Sequence, residues 1–337
     1  MKRRDLPTEF RAVAPARLDL AGGWTDVPPF SGTEGGVVVN ASIALAARAE
    51  LVIGGSLIRL VAEDLGETLE CADSGGLVLD GRLDFLKAAL RMFPVQSNCT
   101  LTTRADTPPG SGLGTSGAMG VALVSLLARA RHEQLGEREI AEHAYHLESD
   151  EVKNPGGRQD QYAAALGGVH RLAFRDPDVG IEPITLDPAF AAELERRIVL
   201  CYTGRSRVSG ATIARVMGAY ERGDAAVTGA LRALRDVAQA MVEALRAADL
   251  GRVAALLTEN WRHQRQLDPA MCTDEMARLE RAVTAAGALG GKAAGAGAGG
   301  SMFFVAGNDG SAVADAARGA GATILPVRWA REGVRAW

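Results

Sequence analysis

The sequence predicts an α+β protein that folds into two lobes. Alternating and β-branched apolar segments concentrate in the first half of the 337-residue chain. Ala-, Leu- and Arg-rich segments with helical spacing concentrate after residue 209. Such a separation of strands from helices is typical of α+β proteins. We place the boundary at an acidic turn, which predicts an N-terminal lobe at residues 1–178 and a C-terminal lobe at residues 179–337.

The first half is predicted to contain five strands and three helices before residue 151. A helical period predicts the helices at 82–93, 115–131 and 137–150. Alternation and β-branched runs predict one strand at 12–20, two within 35–53, and one each at 56–64 and 99–106.

The second half is predicted to be mostly helical. Two strands, at 168–174 and 196–204, precede four consecutive helices at 209–222, 224–248, 250–266 and 271–289. A strand at 300–306, a helix at 310–321 and a strand at 322–330 complete the predicted order.

Bulk composition excludes several classes of protein. A net charge of −4 and a pI near 5.8 give no basis for binding nucleic acid. We find no signal-peptide pattern, and charges interrupt every long apolar run, so we expect no membrane association and a cytoplasmic location. The four cysteines are far apart and form no CxxC motif, which favours free thiols. We expect a monomer or a homodimer.

A glycine- and proline-rich loop precedes the helix predicted at 115–131. Glycines let the main chain approach a ligand, and a helix N-terminus carries unpaired N–H groups and partial positive charge. Together they favour a polyphosphate. No Gly-Lys-Ser/Thr follows, so this is not the usual P-loop. The residues predicted to hold the nucleotide are Pro109, Gly110, Ser111, Gly112, Leu113, Gly114, Thr115 and Ser116.

Three segments resemble motifs of the GHMP small-molecule kinases, which include galactokinase, homoserine kinase and mevalonate kinase. They are APARLDLAGGWTD (14–26), PPGSGLGTSGA (108–118) and GGKAAGAGAGG (290–300), and they occur in the family's order. The resemblance implies an N-terminal lobe with an S5-like α/β fold and a helix-rich, ferredoxin-like C-terminal lobe. It also implies an ATP-dependent kinase whose central motif holds the ATP phosphates.

The third segment contains GAGAGG (295–300), which has a rival interpretation as a dinucleotide-binding fingerprint. That fingerprint follows a strand and opens a helix. Here a predicted helix comes before the glycines and a predicted strand comes after them. We therefore do not expect dinucleotide binding.

The resemblance implies a Mg²⁺ site next to the phosphate loop. Ser116 matches the family's magnesium-contacting serine, although either hydroxyl of the Thr115-Ser116 pair could serve. Glu148 matches the family's magnesium carboxylate, with Asp150 and Glu151 close by in the sequence. One carboxylate and one hydroxyl suffice, because protein-bound Mg²⁺ keeps several water and phosphate ligands.

The resemblance also implies a catalytic pair. Asp160, in NPGGRQDQYAAALGG (154–168), occupies the place of the aspartate that faces the acceptor hydroxyl in the family. Its implied role is to orient that hydroxyl and take its proton. Arg17 matches the basic residue that the family places beside this aspartate, where a cation would keep the carboxylate ionised.

The substrate residues implied by the resemblance are spread over both lobes. They are Gly23, Trp24, Thr25, Asp26, Gly157, Arg158, Arg205, Gly295 and Gly297. Arg158, Arg205 and Arg207 are candidates for binding a phosphate on the substrate. Galactokinase-like members often have a glutamate where Gly23 stands, which argues against galactose. Two interpretations of Lys292 remain open: it supports the active-site loop and the triphosphate from the C-terminal lobe, or it is an ordinary surface lysine.

Within the family, AGGWTDVPPF and GGRQDQYAAALGG look most like the D-glycero-D-manno-heptose 7-phosphate kinases. The expected reaction is transfer of the γ-phosphate of ATP to the anomeric hydroxyl, giving the 1,7-bisphosphate. The alternatives are an L-fucose kinase-like or other sugar 1-kinase, a mevalonate-type kinase, and a non-catalytic regulator that binds ATP and a sugar. GGWTD and QDQYAAA count against the mevalonate type, and the presence of all the implied catalytic residues counts against the regulator.

Overall fold

Two β-sheets organise the protein, which we describe from a computed structural model for residues 9–95, 98–204 and 210–337. The larger sheet has eight strands and the smaller sheet has four. In chain order, the strands are β1 (Glu9–Ala21), β2 (Gly36–Ile53), β3 (Ile58–Ala62), β4 (Glu67–Cys71), β5 (Cys99–Ala105), β6 (Val169–Arg175), β7 (Asp178–Pro183), β8 (Ile198–Tyr202), β9 (Ala288–Ala293), β10 (Ser301–Ala306), β11 (Thr323–Leu325) and β12 (Arg335–Ala336).

Helices connect and cover these sheets. A turn of π-helix at Leu147–Glu151 extends the fourth helix. In chain order, the α-helices are α1 (Phe30–Thr33), α2 (Asp84–Met92), α3 (Thr115–Ala130), α4 (Glu137–His146), α5 (Gln159–Leu166), α6 (Pro188–Arg197), α7 (Gly210–Glu221), α8 (Ala225–Arg246), α9 (Leu250–Gln264), α10 (Asp274–Ala285) and α11 (Ser311–Gly319).

The long strand β2 is the centre of the larger sheet. It pairs with β1 along most of its length, while its first part pairs with β6 and its last part pairs with β5. The main order is β12-β1-β2-β5-β3-β4, and only the β3–β5 pair is parallel. Two strands were predicted within 35–53; this prediction was wrong, because one continuous strand changes neighbours on one side.

The smaller sheet is antiparallel, in the order β11-β8-β10-β9. Two features tie the second half of the chain to the larger sheet. Strand β7 pairs with β6 in that sheet as far as Pro183, and the C-terminal strand β12 pairs with β1. The division at 178/179 therefore stays a prediction, since the described sheets do not separate at that point.

Three hydrophobic clusters form the core. One lies between the larger sheet and helices α2 to α5, and it contains Ala12 and Ala14 of β1. The second contains Ala16 and Leu18 of β1 and packs that sheet against α8, α9 and the smaller sheet. The third joins the smaller sheet to α7, α10 and α11. No helix in the described ranges is long and apolar enough to cross a bilayer.

The predicted helix at 271–289 ends at Ala285, and strand β9 follows it. The strand was missed because its sequence, ALGGKA, is poor in β-branched residues. Its glycines are required by packing: a Cβ on Gly290 would lie 2.0 Å from the Ala254 carbonyl oxygen, and one on Gly291 would lie 2.2 Å from the Phe304 ring. A strand after the glycine-rich turn, rather than a helix, still excludes the dinucleotide fingerprint.

Candidate active site

One cavity of about 300 Å³ collects residues from all three sequence motifs. Its walls come from the end of β1, the loop before α3, the start of α3, the π-helical turn, the start of α5 and the turn between β9 and β10. Ser116, Glu148 and Asp160 all line this cavity. The structure therefore brings together the three side chains on which the predicted phosphoryl transfer depends.

The glycine loop needs backbone conformations that favour glycine. Gly110, Gly112 and Gly114 have φ angles of 67°, 76° and 73°. Gly114 precedes the first residue of α3, and no side chain caps that helix. The amide groups of its first turn are thus left for a ligand at the cavity. Pro109 and Leu113 are not cavity-lining residues; Leu113 is buried in the core, and its carbonyl accepts from the Arg17 amide at 2.9 Å.

Ser116 and Thr115 point to different partners. The Ser116 hydroxyl donates to Glu148 Oε1 at 2.6 Å. The Thr115 hydroxyl lies 2.6 Å from that of Thr107, in the loop after β5. Of the two hydroxyls, Ser116 is therefore the one that contacts Glu148, and the metal-binding role of Ser116 stays a prediction.

Glu148 is surrounded by neutral hydrogen-bond donors. Besides Ser116, Asn154 Nδ2 donates to Oε1 at 2.9 Å and Gln161 Nε2 donates to Oε2 at 2.8 Å. Burial raises the pKa of this carboxyl, which the donors partly offset. A carboxylate and a hydroxyl at one mouth of a phosphate-binding loop are oxygen ligands that suit Mg²⁺. Sequence reasoning missed Asn154 and Gln161, although both flank predicted site residues.

Asp160 and Arg17 form the expected pair. Arg17 Nε donates to Asp160 Oδ1 at 2.8 Å, and the Nη2–Oδ1 distance is 2.7 Å. Arg17 Nη1 also donates to the carbonyls of Gly112 and Ala294, at 2.7 and 2.8 Å. One buried guanidinium thus links the Asp160 carboxylate, the glycine loop before α3 and the glycine-rich turn of the C-terminal half.

A β-bulge explains how Arg17 reaches the cavity. The β1–β2 register shifts between Pro15 and Ala16. Before the shift Ala14 packs against the α2–α5 side, and after it Ala16 packs on the opposite side. Because side chains alternate along a strand, the shift sends Arg17 and Asp19 towards α3 and α5. Bulges of this kind re-aim side chains next to active sites.

The turn after β1 contributes side chains with different roles. Trp24 and Asp26 line the cavity together with Gly23. Thr25 does not line it: the Thr25 hydroxyl donates to the Gly22 carbonyl at 2.7 Å and accepts from the Val37 amide at 3.0 Å. Thr25 therefore shapes the turn.

Asp26 is a buried carboxyl beside other acids. Its Oδ2 accepts from the Gln159 amide at 3.1 Å, and its Oδ1 accepts from Gln159 Nε2 at 3.2 Å. Burial raises the pKa of Asp26 to about 7, with smaller contributions from the charges of Asp160 and Asp19. Gly157 must be glycine, since a Cβ there would lie 1.9 Å from Asp26 Oδ2.

Of the predicted arginines, the structure describes only Arg158, and it does not add a cation to this cavity. Arg158 is buried outside it, with Nη1 3.2 Å from Glu142 Oε1 and 2.9 Å from the Pro177 carbonyl oxygen, and with a salt bridge to Asp176. Its position contradicts a direct phosphate contact, because the guanidinium is used in joining α4 to the β6–β7 hairpin. Arg205 and Arg207 lie outside the described residues.

The turn between β9 and β10 closes the cavity from the C-terminal half. Gly295 and Gly297 both line it. A Cβ on Gly295 would lie 2.5 Å from the Gly112 carbonyl oxygen, and one on Gly297 would lie 2.6 Å from Met271 Sδ. Lys292 is fully buried and forms a 2.7 Å salt bridge with Asp19, which rules out the surface interpretation.

Several buried polar atoms in the cavity wall have no hydrogen-bond partner among the described residues. Unpartnered buried groups are costly, and a native protein has few of them. Their concentration here indicates a site for a polar ligand. Sequence reasoning did not single out Asp19, Gln159 and Gln161 in this set. The atoms are Asp19 Oδ1, Trp24 Nε1, Ser111 Oγ, Gln159 Oε1 and Gln161 Oε1.

Known proteins resemble this chain in sequence and in fold. The D-glycero-alpha-D-manno-heptose 7-phosphate kinase of Campylobacter jejuni is 34% identical over 303 residues, which cover 88% of each chain. The bifunctional fucokinase/GDP-fucose pyrophosphorylase of Arabidopsis thaliana is 27% identical over 89% of this chain and 30% of its own length. A crystal structure of a D-glycero-D-manno-heptose 1-phosphate kinase from Bacteroides thetaiotaomicron has a TM-score of 0.81 and 28% identity, covering 97% of this chain and 98% of that one.

Family models agree with these relatives. The model of the GHMP kinases N terminal domain matches residues 83–168, which include the phosphate loop, Glu148 and Asp160. The model of the GHMP kinases C terminal domain matches residues 241–323, which include the β9–β10 turn. With a relative at 34% identity along most of both chains, these matches show that the chain belongs to the GHMP kinases.

Proposed function

We propose that this protein transfers the γ-phosphoryl group of ATP to the anomeric hydroxyl of D-glycero-D-manno-heptose 7-phosphate, giving the 1,7-bisphosphate. The observation that carries the proposal is the shared cavity of Ser116, Glu148 and Asp160 at the N-terminus of α3. A kinase needs a phosphate cradle, metal ligands and an acceptor-facing carboxylate close together. The reaction uses only small molecules and is expected to take place in the cytoplasm.

The phosphate end of the cavity would hold the nucleotide. The amide groups at the start of α3 would bind the phosphate oxygens, assisted by the main chain of the glycine loop. Ser116 and Glu148 would hold Mg²⁺, which when bound neutralises charge on the transferred phosphoryl group. Asn154 donates to the same carboxylate oxygen as Ser116 and Gln161 donates to the other oxygen, so together they fix the orientation of the Glu148 carboxylate.

Asp160 would act on the acceptor hydroxyl. It lies against α3, since a Cβ on Gly117 would be 2.6 Å from Asp160 Cβ. Its ion pair with Arg17 fixes the direction of the carboxylate. Asp160 would thereby orient the hydroxyl and accept its proton as the bond to phosphorus forms.

The choice of a heptose 7-phosphate is supported by the Campylobacter heptose 7-phosphate kinase. The Bacteroides structure, of a heptose 1-phosphate kinase, supports the heptose. Among the described cavity-lining residues, Arg17 is the one cation, and it is already paired with Asp160. A substrate phosphate therefore needs a cation from another part of the chain. We keep Arg205 and Arg207, outside the described residues, as the proposed source.

The paired state of Arg17 favours one alternative. A neutral sugar such as L-fucose needs no phosphate-binding cation, and the fucokinase relative matches 89% of this chain. The second candidate is therefore a fucokinase-like sugar 1-kinase. The two candidates differ in whether activity requires a phosphate on the acceptor.

An ADP-release screen across sugars and sugar phosphates separates them. We expect turnover of the heptose 7-phosphate and a fall in kcat of ~10²-fold or more in Asp160→Asn, with nucleotide affinity retained. Turnover of free fucose without turnover of the sugar phosphate would establish the second candidate. If no acceptor in the panel were phosphorylated by the wild type, the sugar-kinase proposal would be wrong.

A further inference from the structure

A buried carboxylate in the cavity wall has no role in the transfer described above. Asp19, on β1, lines the cavity and is 3% exposed. Its Oδ2 accepts from Lys292 Nζ at 2.7 Å, and the same ammonium donates to the Asp19 carbonyl at 2.7 Å. Its Oδ1 has no hydrogen-bond partner in the described parts of the chain. The protein therefore fixes one carboxylate oxygen, Oδ2, while the other, Oδ1, lacks a hydrogen-bond donor among the described residues.

Lys292 lies behind the cavity wall. It is fully buried and is not a cavity-lining residue. Its contacts include Asp19 and the face of the Phe303 ring, 5.8 Å from the ring centroid. Lys292 Nζ donates to both the carbonyl oxygen and Oδ2 of Asp19, which holds the side chain in one orientation. The lysine thus orients the carboxylate without being available to a ligand.

Gly23 makes the space that Asp19 occupies. A Cβ at position 23 would lie 2.1 Å from Asp19 Oδ2 and 2.9 Å from Asp19 Cγ. Any larger residue would displace the carboxylate, because contacts under about 3.0 Å are not tolerated by real Cβ atoms. Gly23 is therefore coupled sterically to Asp19, four residues earlier in the chain.

Two further unpartnered atoms belong to the same group of wall residues. They are Trp24 Nε1, a donor, and Gln159 Oε1, an acceptor. A ligand that satisfies all three must both donate and accept hydrogen bonds. Hydroxyl groups do both, and adjacent hydroxyls on a sugar ring present several of them at once.

We propose that Asp19 is a specificity-determining residue that accepts a hydrogen bond from a ring hydroxyl of the sugar substrate, with Lys292 as its positioning partner. This inference rests on the proposed sugar-kinase function. A site built to bond a hydroxyl rejects analogues that lack it, because the buried group is then left unpaired. Asp19 would thus select among sugars, while Asp160 acts on the hydroxyl that reacts.

The test compares Asp19→Asn with the wild type in steady-state kinetics and in sugar binding without nucleotide. We expect KM and Kd for the sugar to rise by ~10- to 100-fold while KM for ATP is unchanged. Asp80→Asn is the matched control: it also removes a carboxylate bonded to a buried lysine, Lys87, but neither residue lines the cavity, and it should leave sugar binding unchanged. Monodeoxy substrates identify the hydroxyl that Asp19 bonds. The analogue that lacks this hydroxyl should bind the wild type weakly, and Asp19→Asn should weaken its binding little further.

Folding is controlled separately. Thermal unfolding and ATP affinity report whether Asp19→Asn is intact, and the double variant Asp19→Asn/Lys292→Gln avoids leaving a buried ammonium unpaired. An active wild type together with an unchanged sugar KM in a folded variant would overturn this inference alone. A wild type inactive on every sugar would overturn the proposed function, and this inference with it.

Discussion

Two carboxylates of the cavity are stabilised in different ways. Asp160 is ion-paired with Arg17, whereas Glu148 receives hydrogen bonds from neutral groups only. Burial raises the pKa of Glu148, so the energy of its charged form is high until a cation approaches. This difference fits the proposed roles, because Arg17 fixes the direction of the Asp160 carboxylate, whereas Glu148 has no cation among its described partners and a metal ion would supply one.

The adjacent hydroxyls of Ser116 and Thr115 give a matched pair of variants. We expect Ser116→Ala to raise the Mg²⁺ concentration needed for half-maximal activity and to lower kcat, because the metal-side hydroxyl is lost. Thr115→Val should have a much smaller effect on the metal requirement, since that hydroxyl bonds Thr107. A Mg²⁺ titration of ADP release measures both, and equal effects of the two variants would contradict the assignment.

The raised pKa of Asp26 predicts that the stability of the protein depends on pH. Its folded pKa of about 7 lies above its unfolded value, so the native state binds the proton more tightly and loses stability as the pH rises towards 7. From about pH 5 to about pH 8 the wild type should lose ~2 kcal/mol relative to Asp26→Asn. Denaturant unfolding of both proteins at the two pH values measures this loss. A constant difference between them would contradict a raised pKa.

At the residue scale, the sequence was informative where a motif specified a position. Ser116, Glu148, Asp160 and Arg17 could be named in advance and now lie around one cavity. The sequence could not show that Arg158 makes structural contacts instead of binding substrate. Its partners, Glu142 and Asp176, lie on other elements of the chain. The role proposed for Asp19 could not be predicted either, because it depends on a contact with Lys292, which is 273 residues away in the chain.

Helix α3 and helix α5 form the structural unit that positions the chemistry. Their N-terminal ends meet where Gly117 of α3 packs against Asp160 of α5. The contact allows no side chain, since an added Cβ would lie 2.6 Å from Asp160 Cβ and 3.1 Å from the Gln161 amide nitrogen. The spacing between the start of α3 and the Asp160 carboxylate, and so between the proposed phosphate site and the proposed catalytic group, therefore depends on a glycine.

We expect Gly117→Ala to push α5 away from α3, lowering kcat and destabilising the fold by ~1–3 kcal/mol. Gly229→Ala in α8 is the control, because nothing lies within 4 Å of its added methyl group. It should leave kcat unchanged and stabilise the protein by ~0.4–1 kcal/mol. Thermal unfolding and ADP release test both variants, and normal kcat in Gly117→Ala would show that the helix spacing is not critical.

At the element scale, long periodic helices such as α8 and α9 could be predicted within a few residues. Elements whose residues are chosen for close packing or for a motif, rather than for helix or strand propensity, could not be predicted. Helix α5 is short and begins directly after the glycines of its motif, and β9 contains glycines that close packing demands. In both cases tertiary contacts override local propensity.

On the scale of the whole molecule, the cavity is completed by distant parts of the chain. The phosphate loop and the β9–β10 turn touch through Gly112 and Gly295, and Arg17 bonds the carbonyl oxygens of both segments. The α+β class was predictable from the distribution of strands and helices, and the matches to the GHMP kinases confirm it. The return of the C-terminus to β1 was not, because strand β12 has only two residues.

The most direct test of the account is a crystal structure with Mg²⁺ and a non-hydrolysable ATP analogue. We expect the terminal phosphate between the first turn of α3 and Asp160, with the metal ion contacting Ser116 and Glu148. A nucleotide bound with its phosphates away from the 108–116 loop, or a metal ion remote from Glu148, would contradict the account.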